Sequence, residues 1–347
     1  MSGVTKAIVQ PLLDWYDAGH RDLPWRTLPT PYRVWVSEIM LQQTRVEAVR
    51  GYFARWMEAL PDIPALAAAD EAVYTKLWEG LGYYSRVRNL HRAAVLLCEQ
   101  YGGELPADYD KLLSLPGVGE YTAGAVASIA FGLPVPAVDG NVLRVAARLG
   151  SDFTPITDTK FKKQTRERFA ALMPSDRPGD LNQALMELGA TVCVPNGAPH
   201  CGDCPIQHLC EGFHRGNAAV LPLRAAKKAR RIENRTVLLV RCGELVGLRQ
   251  RPKKGLLAGL WELPSLDGHL TPDELRAALT EKGWSVRKLL SLRPAKHIFT
   301  HVEWHMNGVY VELDEPAPAL TFVTPAALRA DYALPSAFRS FVSVLED

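Results

Sequence analysis

LPGVGEYTAGAVASIAFG, Leu115–Gly132, decides the fold of the first half of the chain. Pro116, Gly117 and Gly119 set a tight turn, and the small residues that follow let a helix pack closely against its neighbours. Backbone N–H groups at the start of such a helix face outward and can receive a phosphate, holding a nucleic-acid backbone without reading bases. The same letters also suit an ordinary helix–helix turn, so the surroundings matter. RVWVSEIMLQQTRVEAVRGYF (33–53) and YSRVRNLHRAAVLLCEQY (84–101) repeat apolar residues at three- and four-residue intervals, the signature of amphipathic helices. Breaks carrying Gly or Pro, such as LPDIP (60–64) and YGGELP (101–106), separate them, and no strand pattern stands out before residue 213.

Farther along, the texture changes. Between 214 and 235 the apolar period weakens, and Arg224, Lys227, Lys228, Arg230, Arg231 and Arg235 sit with one acid, Glu233. This reads as a basic linker, either solvated or touching phosphates. RTVLLVRCGELVGLRQRP (235–252) then looks like two strands around a Cys-Gly-Glu turn, and HIFTHVEWHMNGVYVELD (297–314) like a second hairpin. Helical patterns lie in TPDELRAALTEKG (271–283) and SAFRSFVSVLE (336–346). The expected organisation is a helical domain over 1–213, a linker over 214–235, and an α+β domain over 236–347 with its own core.

Composition agrees with two globular domains. The chain has 347 residues, more than one ordinary core supports. It is 47% hydrophobic and 22% charged, which excludes disorder, collagen-like repeats and coiled coils. No apolar run is long enough to span a membrane. The N-terminal segment carries Asp14 and Asp17 and lacks a small-residue cleavage site, so a cytoplasmic location is expected. Forty basic against 38 acidic residues leave +2, so any affinity for DNA must come from local patches and backbone geometry.

Four of the six cysteines form Cys193-x7-Cys201-x2-Cys204-x5-Cys210. Four thiolates this close suit a zinc ion or a four-iron cluster, and the spacing departs from the paired C-x2-C knuckles of structural zinc, favouring iron–sulfur. His200, beside Cys201, is read as a bystander.

Two carboxylates stand out. Asp139, in PVPAVDGNVLRVAARLG (134–150), starts a helix; it is either an N-cap or a carboxylate placed beside a cationic transition state. Glu38 lies among Val36, Ile39, Met40 and Leu41. An acid on a mostly apolar helix has a raised pKa and suits proton donation near neutral pH, whereas a surface glutamate would do neither.

Taken in order, DLPWR (22–26), PYRVWVSEIMLQQTRV (31–46), WEGLGYYSRVRNLH (78–91), LPGVGEYTAGA, VDGNVLRV, LNQALMELGA (181–190), the four cysteines, RPKKGLLAGLWELP (251–264) and HIFTH (297–301) resemble the adenine DNA glycosylases within the endonuclease III-like helix-hairpin-helix superfamily. The resemblance implies an all-α helix-hairpin-helix catalytic domain with a [4Fe-4S] loop on Cys193, Cys201, Cys204 and Cys210, followed by an α+β Nudix-like domain. It implies removal of adenine opposite 8-oxoguanine or guanine from double-stranded DNA, by a monomer that associates with the nucleoid while on DNA. Glu38 matches the family's general acid and Asp139 the carboxylate that stabilises the sugar cation, a logic parallel to glycoside hydrolysis. Tyr121 matches a tyrosine placed beside both, and Asn141 the residue that hydrogen-bonds the aspartate. Trp25, Arg26, Leu41 and Gln183 match the adenine pocket. Gln43, Thr44, Leu81 and Tyr83 match residues around the lesion, and Gly117, Val118 and Gly119 the DNA-holding hairpin.

Where lyase-competent relatives carry a Schiff-base lysine, Gly119-Glu120-Tyr121 has none, so a monofunctional enzyme is expected. Phe299-Thr300-His301 matches a Phe-Ser-His loop that inspects 8-oxoguanine, with threonine replacing serine. SLDGHLTPDELRAALTEKG (265–283) lacks the glutamate-rich helix of a Nudix hydrolase. The first cysteine spacing is seven residues where the family usually has six, and the enclosed VPNGAPH loop holds no Lys or Arg. Two rival readings are an endonuclease III-like glycosylase-lyase, disfavoured by Tyr121 and the second domain, and a damage-binding module with structural carboxylates.

Overall fold

The structure, a computed structural model, describes residues 4–224 and 229–345. Two compact units emerge: Met1–Ala69 with Ser85–Ala226, and Asp70–Tyr84 with Lys227–Asp347. No helix among the described residues is long and apolar enough to cross a membrane.

The first unit is helical, and its described residues contain no strand. Its hairpin is the turn between the helices Tyr109–Ser114 and Glu120–Phe131. Gly117 sits there at φ +78°, and a Cβ on it would meet Asn89 Cβ at 2.6 Å, so both conformation and space demand glycine. One core cluster joins Ile8, Leu12, Leu13 and Tyr16 near the N-terminus to Val142, Val145 and Leu149 of the Gly140–Leu149 helix and to Leu181, Leu185 and Leu188 of the Pro178–Thr191 helix.

The 33–53 periodicity, which reads through as continuous helix, is broken. Helices Pro31–Leu41 and Val46–Ala59 are separate, and Gln43 between them takes φ +59°. Gln42 and Gln43 offer no Gly or Pro to announce that break.

The second unit carries a seven-stranded mixed sheet: β1 (Arg231–Cys242), β2 (Leu245–Gln250), β3 (Trp261–Glu262), β4 (Ser265–Asp267), β5 (Val286–Ile298), β6 (Val302–Leu313) and β7 (Thr321–Val323). The order β3-β2-β1-β6-β5 puts β1 parallel to β6, Val237 opposite Gly308, with antiparallel neighbours elsewhere. Side chains of β1 alternate between faces. Val237 and Leu239 pack with Leu328, Phe338 and Phe341, whereas Leu238 and Val240 pack with Leu275 and Leu279 of the Pro272–Glu281 helix. Both faces are therefore covered.

The two hairpins read from the sequence are present. However, β1 starts at Arg231, inside the span read as linker, and Lys227 and Lys228 of that span lie outside the described residues. The unit also takes in Asp70–Tyr84, held to it by Lys76 Nζ donating to Tyr332 O and Leu334 N donating to Glu79 Oε1.

Candidate active site

Helices Pro31–Leu41, Glu120–Phe131, Gly140–Leu149 and Pro178–Thr191 surround a cavity of about 520 Å³ in the first unit, within the size range of ligand pockets. Glu38, Tyr121, Asp139 and Asn141 all line it, as do Trp25, Arg26, Leu41 and Gln183, with Gln43 and Thr44 at the start of the chain break. The two carboxylates share one chamber.

Glu38 is buried in the last turn of its helix, where a polar side chain is sustained only by a partner. Tyr121 Oη donates to Glu38 Oε2 at 2.5 Å and also contacts Met186 Sδ at 3.1 Å. Burial raises the Glu38 pKa to about 7, the nearby Asp139 charge adds to this, and the Tyr121 hydrogen bond and Arg26 oppose it. Burial likewise pushes the Tyr121 phenol well above its ordinary value, so it stays a donor.

Asp139 is both alternatives at once: the N-cap of the Gly140–Leu149 helix and a cavity wall. Its Oδ1 accepts from Val142 N at 2.8 Å and its Oδ2 from Asn141 Nδ2 at 2.7 Å. Burial lifts its pKa above the usual aspartate range, while these two donors and Arg144 hold it down. Behind it, Arg144 Nη2 donates to Asn141 Oδ1 (2.9 Å) and Gly189 O (2.6 Å), which leaves the Asn141 NH2 facing Asp139. Asn182 clamps the approaching strand of chain by accepting from Ala137 N and donating to Val135 O, both at 2.9 Å.

Sequence reasoning missed Arg144, Asn182 and Glu187. Glu187 is buried at the cavity wall and accepts from Arg21 Nε at 2.6 Å and Arg26 Nη2 at 2.9 Å, so the Arg26 guanidinium is oriented by a carboxylate. A signal existed for Arg144: with Arg148 it stands four residues apart among Val142, Leu143, Val145, Ala146, Ala147 and Leu149, and buried arginines need partners.

The four cysteines line one small cavity with Arg148 and Phe213. Arg148 Nη1 donates to Cys193 O at 3.0 Å and contacts its Sγ at 3.2 Å, and Arg144 Nε donates to the same carbonyl at 2.8 Å, tying the loop to the Asp139 helix. Burial pushes Cys204 up to about 12 and raises Cys201 and Cys210, with repulsion among neighbouring thiolates contributing. Among the described residues no three His, Cys, Asp or Glu side chains converge on a single ion position. His200 is exposed, its Nδ1 3.2 Å from Thr191 O.

The remaining candidates lie outside the cavity lining. Val118 is buried in the hairpin, and Gly119 caps the helix Glu120–Phe131 without a side-chain bond. In the second unit Leu81 is buried, whereas Tyr83 is exposed at φ +47° with its hydroxyl 2.9 Å from Thr300 Oγ1. Thr300 and His301 are exposed at the β5–β6 tip, while Phe299 turns inward, edge-on to His297 and Trp304. Gln43 and Tyr83 are two of four non-glycine residues at positive φ among those described, a strain that concentrates at functional sites.

Comparison with known proteins agrees with this architecture. Residues 36–173 match the HhH-GPD superfamily of base excision DNA repair proteins, and 236–344 match the NUDIX domain. The adenine DNA glycosylase of Mus musculus is 40% identical over 89% of this chain and 71% of its own length. That of Homo sapiens is 36% identical over 91% and 68%, and that of Buchnera aphidicola subsp. Baizongia pistaciae 29% over 90% and 88%. Among solved structures, a thermostable thymine-DNA glycosylase superposes with TM-score 0.54 at 27% identity, covering 60% of this chain and 96% of its own. Endonuclease III in a non-covalent DNA complex gives 0.52 at 26%, covering 61% and 98%. A helix-hairpin-helix unit with two carboxylates in one cavity, joined to a Nudix-like unit, thus belongs to the adenine DNA glycosylase family, enzymes that hydrolyse N-glycosyl bonds.

Proposed function

We propose that the protein excises adenine mispaired with 8-oxoguanine or guanine in double-stranded DNA, as a monomeric, monofunctional glycosylase of the cytoplasm. The observation that carries this reading is the shared cavity: a carboxyl with a pKa of about 7 and a second carboxylate held by two hydrogen-bond donors. The adenine leaves the stack and enters between Trp25, Leu41 and Gln183, with the guanidinium of Arg26 already oriented by Glu187. Glu38, about half protonated at neutrality, gives its proton to N7, turning adenine into a better leaving group, an effect of about 10²–10⁴-fold. As the glycosidic bond lengthens, positive charge grows on the sugar, and Asp139 stabilises it before water adds. Tyr121 keeps Glu38 aimed, and Asn141 keeps Asp139 aimed. No described residue lining the cavity is a lysine, which supports hydrolysis without an imine.

The hairpin 115–119 and the uncapped N–H groups that follow it would hold the DNA backbone. The Thr300–Tyr83 hydroxyl pair and exposed His301 would inspect the opposite base. Glu274, committed to a capping box with Thr271, supports a reading rather than a hydrolytic role for the Nudix-like unit. Cys193, Cys201, Cys204 and Cys210 would hold a [4Fe-4S] cluster. Four thiols distributed around one cavity suit a polynuclear group, and burial, which disfavours bare thiolates there, calls for a cationic partner to hold them deprotonated. When bound, that group supplies four iron–thiolate bonds anchoring the loop, and no step of excision passes through it.

Single-turnover excision on duplexes bearing A opposite 8-oxoguanine, G, C and T tests the reading. The expected result is release opposite 8-oxoguanine and G with abasic product left unnicked. Release independent of the opposite base, or strand cleavage coupled to release, would overturn it.

A further inference from the structure

The helix that carries Glu38 ends abruptly, and nothing in its own last turn compensates that end: none of those residues is basic. The last carbonyls of a helix lack intrahelical donors and carry partial negative charge. Here one group from another helix supplies both remedies. Arg86, buried in the Ser85–Tyr101 helix, directs a single nitrogen, Nη1, at three carbonyls: Ile39 O (2.7 Å), Met40 O (3.1 Å) and Gln42 O (2.7 Å). On its other side, Gln42 Nε2 donates to Thr122 Oγ1 at 3.2 Å, next to the residue that donates to Glu38. Immediately beyond, Gln43 takes its left-handed conformation. The end of the acid-bearing helix is therefore pinned from two directions.

We infer that Arg86 is a positioning residue for the proposed proton donor: by gathering the terminal carbonyls of the Pro31–Leu41 helix, it fixes the turn from which Glu38 meets Tyr121 and the cavity. A guanidinium suits this task because its fork is planar and permanently charged. The inference rests on Glu38 acting as the acid. A misplacement of about 1 Å in such a site costs on the order of 10²-fold in rate. A loosened helix end also admits water to Glu38, relieving the burial that keeps its carboxyl protonated against the opposing influence of Tyr121 and Arg26, with Asp139 the remaining facing charge.

The test is single-turnover excision by Arg86→Met across pH 5.5–9, alongside duplex binding and thermal melting, with Arg86→Lys as the conservative variant. Arg86→Met should lose on the order of 10²-fold in rate with unchanged duplex affinity, and its alkaline limb should move to lower pH. Arg86→Lys should recover part of the rate and return the limb toward its original position. Should Arg86→Met not fold, Arg86→Lys alone still shows a reduced rate and a lowered limb. A wild-type rate, or a rate loss with no movement of the limb, overturns the inference. If Glu38→Gln stays active, the underlying reading fails instead; if Glu38→Gln is inactive while Arg86 variants are normal, only the positioning role falls.

Discussion

Glu38 and Asp139 enter one cavity from opposite kinds of helical position. Glu38 projects from the last turn of a helix buried on most of its faces and accepts a hydrogen bond from the Tyr121 hydroxyl. Asp139 precedes a helix, where free N–H groups and the positive end of the dipole favour an anion, and it has the Val142 N–H and the Asn141 amide besides. Burial raises the pKa of both carboxyls, but two N–H donors and Arg144 oppose the rise at Asp139, whereas Tyr121 and Arg26 oppose it at Glu38, which still reaches about 7. Two carboxyls in one cavity with unequal hydrogen-bond support suit acid and stabiliser roles.

Substitutions can break that contrast. Glu38→Gln removes the proton and nothing of the shape, so single-turnover excision should fall by about 10²–10⁴-fold while duplex affinity is kept. Asp139→Asn separates the two roles of Asp139. Asparagine caps helices as well as aspartate, so the melting temperature should hold while excision drops by about 10²–10³-fold. Asp139→Ala should lose stability as well, by about 1 kcal/mol.

A smaller change sharpens the comparison. Tyr121→Phe deletes a donor that stabilises the Glu38 carboxylate, so the alkaline limb of excision should move up by about one pH unit, readable from the pH–rate profile. The smallest effect falls away from the cavity: His301→Ala should reduce the excision ratio for 8-oxoguanine over guanine several-fold, with the rate on saturating substrate nearly unchanged.

Much of the molecule was legible in local signals. The Pro-Gly turn at 115–119 and the helix after it, the two hairpins and about half of the cavity residues, Glu38, Tyr121 and Asp139 among them, were read from spacing and resemblance. What escaped depends on long-range partners. The break at Gln43 sits inside an uninterrupted apolar period, because its termination comes from Arg86 forty-four positions away from Gln42. β5 extends back to Val286 through Pro294, which a ladder tolerates here because the register shifts between Leu292 and Ala295. Residues 70–84 join the second unit through long-range partners such as Glu79 with Leu334, 255 positions apart. Glu187 carries no local signal, since its partners Arg21 and Arg26 lie more than 160 positions away.

The pH dependence of kcat/KM for adenine release bears most directly on the two-carboxylate account. A general acid works only while protonated, and Glu38 has its pKa at about 7. The rate should fall roughly tenfold per pH unit above that point, with a separate decline at lower pH where Asp139 takes up its proton, and Glu38→Gln should remove the alkaline break along with most of the activity. A fall that already begins near 4.5, the ordinary glutamate value, or a break at 7 that survives in Glu38→Gln, would contradict the account.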